Sequence, residues 1–167
     1  MLTGFQFRVS RAILDLYYEQ LASHVGLHFS TLKKLEEDTQ NLSHPKCQLS
    51  TLINITNFFN KQGISFPNDN IITLNTLKVT ASQDSSDKIT RFQLKGARVT
   101  LKLTQKELGQ NINIPQSTLS DLEINYKNEQ FIKLDPIITK TTKSFFLQHG
   151  VVFLSPTSIK LISNKLI

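Results

Sequence analysis

The chain has 167 residues, of which 39% are hydrophobic and 19% charged, so it has room for one ordinary domain or two small ones and is too apolar to be disordered. Its 19 Lys and Arg against 13 Asp and Glu give a formal net charge of +6, which favours an anionic partner. The absence of a bilayer-length apolar run, of a basic-then-apolar leader and of any cysteine besides Cys47 argues against membrane insertion, secretion and a disulfide scaffold. We therefore expect a reduced, cytoplasmic protein.

The positive charge is concentrated in the second half of the chain. Residues 1–87 hold seven bases and eight acids, a net charge of −1. Residues 88–167 hold twelve bases and five acids, a net charge of +7. Any contact with a polyanion is therefore expected mainly from the second half.

The sequence contains an internal repeat with an offset of 87 residues. Residues 2–36 align with 89–123 without a gap and about a third of these positions are identical, and residues 58–74 align with 145–161. The polar segment between the copies has no apolar periodicity and is typical of a linker. These observations predict two domains, residues 1–78 and 88–167, joined by a linker over residues 79–87.

Each repeat has a helical pattern first and a strand pattern last. Thr3 and Thr90 are candidate N-caps of a first helix whose apolar positions continue to Leu16 and Leu103. Two short helices are predicted at 18–25 and 29–38, repeated at 105–112 and 116–123. A fourth helix ends before Gly63 and Gly150. Alternating residues around a turn then predict hairpins with strands at 64–66 and 72–74, and at 151–153 and 159–161.

The two short helices of the second repeat are expected to pack closely together. Gly109 places almost no side chain where they cross, and Asn113 stands where the turn needs a positive φ. The first repeat uses Ala22 and Gly26 at these positions. The inward face is formed by Leu108, Ile112, Leu119 and Leu122.

These residues resemble the phage-repressor, Cro and Xre type of helix-turn-helix protein. The second repeat matches its signature at Gln105, Glu107, Leu108, Gly109, Ser117, Leu119, Leu122 and Glu123, and departs at Asn113, where the family has Gly. The first repeat matches at Leu21, Ala22, Gly26, Ser30, Leu32, Leu35 and Glu36. The resemblance covers about 60 residues of each repeat. It implies a mainly α fold with small β-hairpins, in two lambda-repressor-like domains that each have four helices and a C-terminal hairpin.

The same resemblance implies a non-enzymatic bacterial or phage transcription regulator, such as a repressor, that binds double-stranded DNA. In this family the third helix lies in the major groove. The residues this places against bases in the second repeat are Gln116, Ser117, Ser120 and Asp121, and Thr118 beside them is also expected to contact DNA. Phosphate contacts are expected from Gln105, Lys106, Arg91, Lys95, Lys102 and Lys127. In the first repeat the residues expected to contact DNA are Ser30, Thr31, Lys33 and Lys34.

Two ion pairs implied by the resemblance are structural rather than DNA-binding. Arg98 with Glu123, and Arg11 with Glu36, are expected to join the first and third helices, because a partly buried charge needs a partner. Asp121 is the exception on the third helix, since an acid facing DNA weakens binding. It either accepts a hydrogen bond from cytosine or shows that the helix docks differently.

The first repeat has two alternative roles. It is either a second, weaker DNA-binding domain or a packing and dimerisation domain, with Tyr17, Tyr18 and Phe29 as contact aromatics. The chain accordingly acts either as a homodimer or as an intramolecular pseudo-dimer. The alternative function is a protein-interaction module, antitoxin-like or an adaptor.

Catalytic and metal-binding patterns are weak. The turn at Gly26 separates His24 from His28, and His44 with Cys47 lacks a second ligand pair. The sequence has no Gly-rich phosphate loop and no nucleophile elbow. We therefore expect no enzymatic activity, no cofactor and no metal.

Overall fold

The computed structural model describes residues 1–76 and 87–162. The chain divides into two compact units, Met1–Asn75 (unit 1) and Thr76–Ile167 (unit 2). The described residues are mixed α and β, with eight helices and four antiparallel strands. Apart from Asp87, the predicted linker 79–87 lies outside the described residues. None of the helices in 1–76 and 87–162 has the length and apolar character needed to cross a membrane.

Each unit has four helices followed by a hairpin, in the order expected from the repeat. Unit 1 consists of α1 (Gly4–Ile13), α2 (Tyr18–Val25), α3 (Phe29–Asp38), α4 (Leu49–Lys61), β1 (Ile64–Asn68) and β2 (Ile71–Leu74). Unit 2 consists of α5 (Arg91–Thr100), α6 (Gln105–Ile112), α7 (Gln116–Ile124), α8 (Pro136–Gln148), β3 (Val151–Ser155) and β4 (Ser158–Leu161).

The first helix of each unit begins at the predicted N-cap. Thr3 and Gln6 form a capping box at the start of α1, and Thr90 and Gln93 form the same box at the start of α5. Each Gln side chain also reaches the hairpin of its unit: Gln6 Nε2 donates to the Ile71 carbonyl and Gln93 Nε2 to the Ser155 carbonyl, both at 2.9 Å. The cap therefore fixes the hairpin against the first helix.

The first helix ends earlier than predicted. It stops at Ile13 and Thr100 rather than continuing to Leu16 and Leu103. The reason is backbone geometry, because Asp15 and Lys102 have left-handed φ values of 54° and 56°. A helix cannot continue through that conformation.

The hairpins form where predicted, but their strands are longer and their turns tighter. Gly63 and Gly150 leave the preceding helix with the expected positive φ of 81° and 79°. A register shift between Ser65 and Asn68 lets pairing resume at Asn68 opposite Ile71. The turn in unit 1 is therefore shorter than the predicted four residues.

A phenylalanine-rich core lies inside each unit. Phe5, Phe7 and Phe59 are fully buried in unit 1, and Phe92 and Phe146 in unit 2. The rings of Phe7 and Phe59 lie 6.1 Å apart, a distance suited to tilted aromatic packing. These phenylalanines come from the first and fourth helices, whereas the second and third helices each bury one side, through Leu21 and Leu32 in unit 1 and Leu108 and Leu119 in unit 2.

Candidate nucleic-acid interface

The turn between α6 and α7 has the geometry that the sequence indicates. Asn113 ends α6 with φ 57° and ψ 46°, and Gly26 ends α2 with φ 71° and ψ 34°. The Ile114 amide donates to the Gly109 carbonyl at 2.9 Å, so the turn folds back onto α6. A Cβ at Gly109 would lie 2.4 Å from the Ile114 carbonyl oxygen. Glycine is therefore required for this close approach.

We expect Gly109→Ala to lower the stability of unit 2 by about 1 to 3 kcal/mol, because backbone has to move to accept the methyl group. Urea denaturation of the full chain measures the loss. The control is Gln110→Ala at the exposed neighbouring position. Unit 1 holds Ala22 at the aligned position with a longer bond, 3.2 Å from the Leu27 amide to its carbonyl. If Gly109→Ala left the free energy of unfolding unchanged, the α6–α7 turn would be able to widen in the same way.

Helix α7 presents a polar face to solvent. Gln116, Ser117, Thr118 and Asp121 are exposed, and Ser120 is half-buried. On the opposite side Leu119 is fully buried and Leu122 nearly so. Pro115 precedes the helix, and no side chain caps its first turn, where the helix dipole is positive.

One lysine lies beside the exposed face of α7, and two more are exposed near it in the sequence. Lys106 and Gln116 line a shallow cleft of about 370 Å³ with Gly109 and Asn113. Lys127 is exposed just after the end of α7, and Lys102 is exposed before α6. The structure therefore brings Lys106 close to the polar face of α7.

Gln105 has a different environment from Lys106. Its Nε2 donates to Glu123 Oε2 at 3.1 Å, and the side chain is half-buried. This amide is engaged inside the unit rather than directed at solvent. Lys106 is the neighbouring α6 side chain that remains exposed beside α7.

The predicted phosphate contact at Arg91 is wrong. Arg91 is only 4% exposed, and its Nε donates to the Glu123 carbonyl at 2.5 Å. Its NH1 group also hydrogen-bonds to Asn128 Oδ1. The guanidinium therefore binds the C-terminal end of α7 and is not available to DNA. Lys95 on the same helix is half-buried, and its phosphate contact remains a prediction.

The two ion pairs implied by the resemblance are present. Arg98 contacts both oxygens of Glu123, with Nε–Oε1 at 2.6 Å and NH2–Oε2 at 2.7 Å. Arg11 contacts Glu36 with the same two distances. Each pair joins the first helix of its unit to the third, and a two-point contact of this kind also fixes their orientation.

The residue at the start of the second helix accompanies each ion pair. In unit 2 the Gln105 side chain donates to Glu123. In unit 1 the aligned residue is Tyr18, and the Arg11 guanidinium lies 4.1 Å from the centre of the Tyr18 ring. Burial, together with the Glu36 carboxylate, raises the pKa of Tyr18 to about 12. Tyr18 therefore packs on Arg11 and is half-buried, and its role as a contact aromatic stays a prediction.

Helix α3 of unit 1 also presents polar residues, beside a wide groove. Ser30, Thr31, Lys33 and Lys34 are all exposed, and Lys33 lies 3.9 Å from Glu37. The groove has a volume of about 930 Å³, and its lining includes Ser30, Thr31, Lys34, His44 and Lys46. Two exposed aromatics lie at the starts of α2 and α3, with Tyr17 73% and Phe29 42% exposed.

The histidines of unit 1 have local partners. His28 Nδ1 lies 2.7 Å from the Ser30 hydroxyl, and His44 Nδ1 lies 3.0 Å from the Leu2 carbonyl. His24 stacks on Phe58 with ring centres 4.9 Å apart. Within residues 1–76 and 87–162, no three His, Cys, Asp or Glu side chains group in a way that could hold a metal ion.

Comparisons with protein-family models, with curated proteins and with solved structures gave no match to the chain.

Proposed function

We propose that the chain is a transcription regulator that binds double-stranded DNA with sequence preference, using two helix-turn-helix domains of the phage-repressor type. In unit 2, α7 lies in the major groove. The observation that carries this proposal is the exposed polar face of α7, held outward by the left-handed Asn113 and the glycine crossing at Gly109. The B-DNA major groove is wide enough to admit one α-helix.

The chemistry of this face suits base edges. Gln116 can bind adenine through N6 and N7, and the hydroxyls of Ser117 and Thr118 can donate or accept. Lys106 and Lys127, both exposed near α7, supply phosphate contacts that do not depend on sequence. The net charge of +7 over residues 88–167 favours approach to DNA.

A protein-interaction module is the second candidate, and one observation favours it. Tyr17 and Phe29 are large, exposed aromatics in unit 1, and aromatic side chains are enriched in protein interfaces. Glu37 and Asp38 are exposed nearby and would repel DNA. This function predicts a partner that binds unit 1 irrespective of nucleic acid.

Salt dependence separates the two candidates. A DNA-binding chain should show a linear fall of log K with log salt, with a slope of about −0.9 for each phosphate contact. The measurement is fluorescence anisotropy of labelled duplexes titrated with the full chain at several salt concentrations. A flat slope, or no binding at low salt, would contradict the DNA-binding proposal.

Gln116→Ala should weaken binding to the preferred duplex by about 1 to 3 kcal/mol and binding to random DNA very little, because the lost contact is to a base. Anisotropy titrations against both duplexes measure the two losses. The matched control is Gln148→Ala, which removes an exposed glutamine at the end of α8. Equal losses on both duplexes would mean that Gln116 contacts no base.

A further inference from the structure

The outward faces of α3 and α7 can be compared residue by residue, because the two helices are related by the 87-residue offset. Both helices share a central pair, Ser30-Thr31 in α3 and Ser117-Thr118 in α7, and all four residues are exposed. They differ at three positions around that pair, and at one of these the exposed Lys33, whose Nζ lies 3.9 Å from Glu37 Oε1, corresponds to the half-buried Ser120. Phe29 corresponds to Gln116, and Lys34 to Asp121, and these four side chains are also exposed.

The two units hold these helices in the same way. The Arg11–Glu36 and Arg98–Glu123 contacts have equal distances, 2.6 Å and 2.7 Å. A residue with a left-handed backbone conformation precedes each helix, Gly26 in unit 1 and Asn113 in unit 2. The ion pair and the preceding turn are therefore alike in the two units, while the N-caps differ: the His28 side chain accepts from the Ser30 amide in α3, and no side chain caps α7.

The first differing position changes the base that can be recognised. Gln116 has a donor and an acceptor, which match the N7 and N6 groups of adenine. Phe29 has neither, and its favourable contact in the major groove is with the methyl group of thymine. The two helices should therefore differ in preference at this position.

The position of Lys34 and Asp121 reverses the charge of the side chain. Lys34 only donates hydrogen bonds, which suits the O6 and N7 acceptors of guanine. Asp121 only accepts them when ionised, and the amino group of cytosine is the donor that it can meet. A carboxylate facing a polyanion is tolerated best where a base supplies such a donor.

The surroundings of α3 favour a DNA contact by unit 1 as well. Lys34, Lys46 and His44 line its groove of about 930 Å³, against one carboxylate, Asp38. In unit 2 the residue aligned with Thr39 is Tyr126, whose hydroxyl accepts from the Lys133 amide at 3.4 Å. The groove beside α3 is lined by two lysines, whereas the cleft beside α7 is lined by Lys106.

We propose that the full chain binds an asymmetric DNA site made of two unlike half-sites, one for each unit. This proposal rests on the proposed function. The half-sites share the bases that face the Ser-Thr pair. The unit 1 half-site has thymine facing Phe29 and guanine facing Lys34, whereas the unit 2 half-site has adenine facing Gln116 and cytosine facing Asp121. Because both units belong to one chain, binding of one half-site raises the effective concentration of the other unit at the second.

The test is selection of bound duplexes from random DNA with the full chain, followed by the variants Lys34→Asp and Asp121→Lys. The wild-type chain should enrich a bipartite, non-palindromic site. Lys34→Asp should replace guanine by cytosine in one half-site only, and Asp121→Lys should replace cytosine by guanine in the other. Each variant should bind the wild-type site about 5- to 150-fold more weakly than its own selected site, the cost of one mismatched base pair.

Lys46→Asp is the matched control for Lys34→Asp, because it makes the same charge change in the groove but outside α3. It should weaken binding to all sequences without changing the selected bases. A palindrome, a single half-site, or unchanged base preferences in both variants would overturn the asymmetric site while leaving DNA binding intact. No enrichment together with a flat salt dependence would instead overturn the proposed function.

Discussion

Replacing Arg98 with Met is expected to lower the free energy of unfolding of unit 2 by about 3 to 5 kcal/mol, since removing one partner of a buried pair leaves the other charge uncompensated. The Glu123 side chain is only 3% exposed, and Arg98 donates to both of its oxygens. In the variant the carboxylate keeps the hydrogen bond from Gln105 but loses its counter-charge. Native-state hydrogen exchange of the full chain, analysed by peptide, reports the loss for each unit separately.

Two controls test whether burial causes the effect. Lys33→Met breaks the exposed pair with Glu37, for which a loss of only about 0.5 kcal/mol is expected. The double variant Arg98→Met with Glu123→Leu removes both charges, and it should recover most of the lost stability, because a well-packed apolar pair can replace a buried ion pair. If Arg98→Met lowered the free energy of unfolding no more than Lys33→Met, water would have to reach Glu123. The ion pair would then not hold α7 in place.

Features set by local chemistry could be predicted from the sequence. Helices α2 and α3 span the predicted 18–25 and 29–38, and α6 spans 105–112, because a residue in the left-handed conformation, Gly26 or Asn113, ends the second helix. The polar face of α7 follows from helical periodicity, which turns Leu119 and Leu122 inward. These features depend on residues within a few positions of one another.

Features set by the backbone or by distant contacts could not be predicted in this way. Lys102 has a positive φ although lysine gives no sign of it, so the apolar pattern extended the first helix too far. Arg91 lies in the first turn of a helix, where a basic residue ordinarily faces solvent, yet its acceptor is the Glu123 carbonyl, 32 residues away. Only the tertiary structure brings that carbonyl within reach.

The repeat itself carries a signal for the role of Arg91. In unit 1 the corresponding guanidinium comes from Arg8, whose NH1 donates to the Glu36 and Thr39 carbonyls, both at 2.9 Å, and whose NH2 hydrogen-bonds to Asn41 Oδ1. Glu36 aligns with Glu123, and Asn41 aligns with Asn128. The same polar groups are therefore bound by an arginine one helical turn further along the first helix.

The two aligned positions on the first helix carry different residues in the two units. Position 4 is Gly and position 8 is Arg in unit 1, whereas positions 91 and 95 are Arg and Lys in unit 2. A Cβ at Gly4 would lie 2.4 Å from the Gln40 carbonyl oxygen, so unit 1 has no room for an arginine there. Residues four apart share one face of a helix, which lets either position reach the end of the third helix.

Arg91→Ala should therefore destabilise unit 2 by about 2 to 4 kcal/mol, because a buried, charged hydrogen-bond donor is lost and its acceptors at the end of α7 are left unsatisfied. Adding Lys95→Arg should recover a large part of this loss, since it places the guanidinium where Arg8 has it in unit 1. Lys95→Arg alone is the control and should be nearly neutral. Peptide-resolved hydrogen exchange measures all three variants, and a double variant no more stable than Arg91→Ala would show that the two positions are not equivalent.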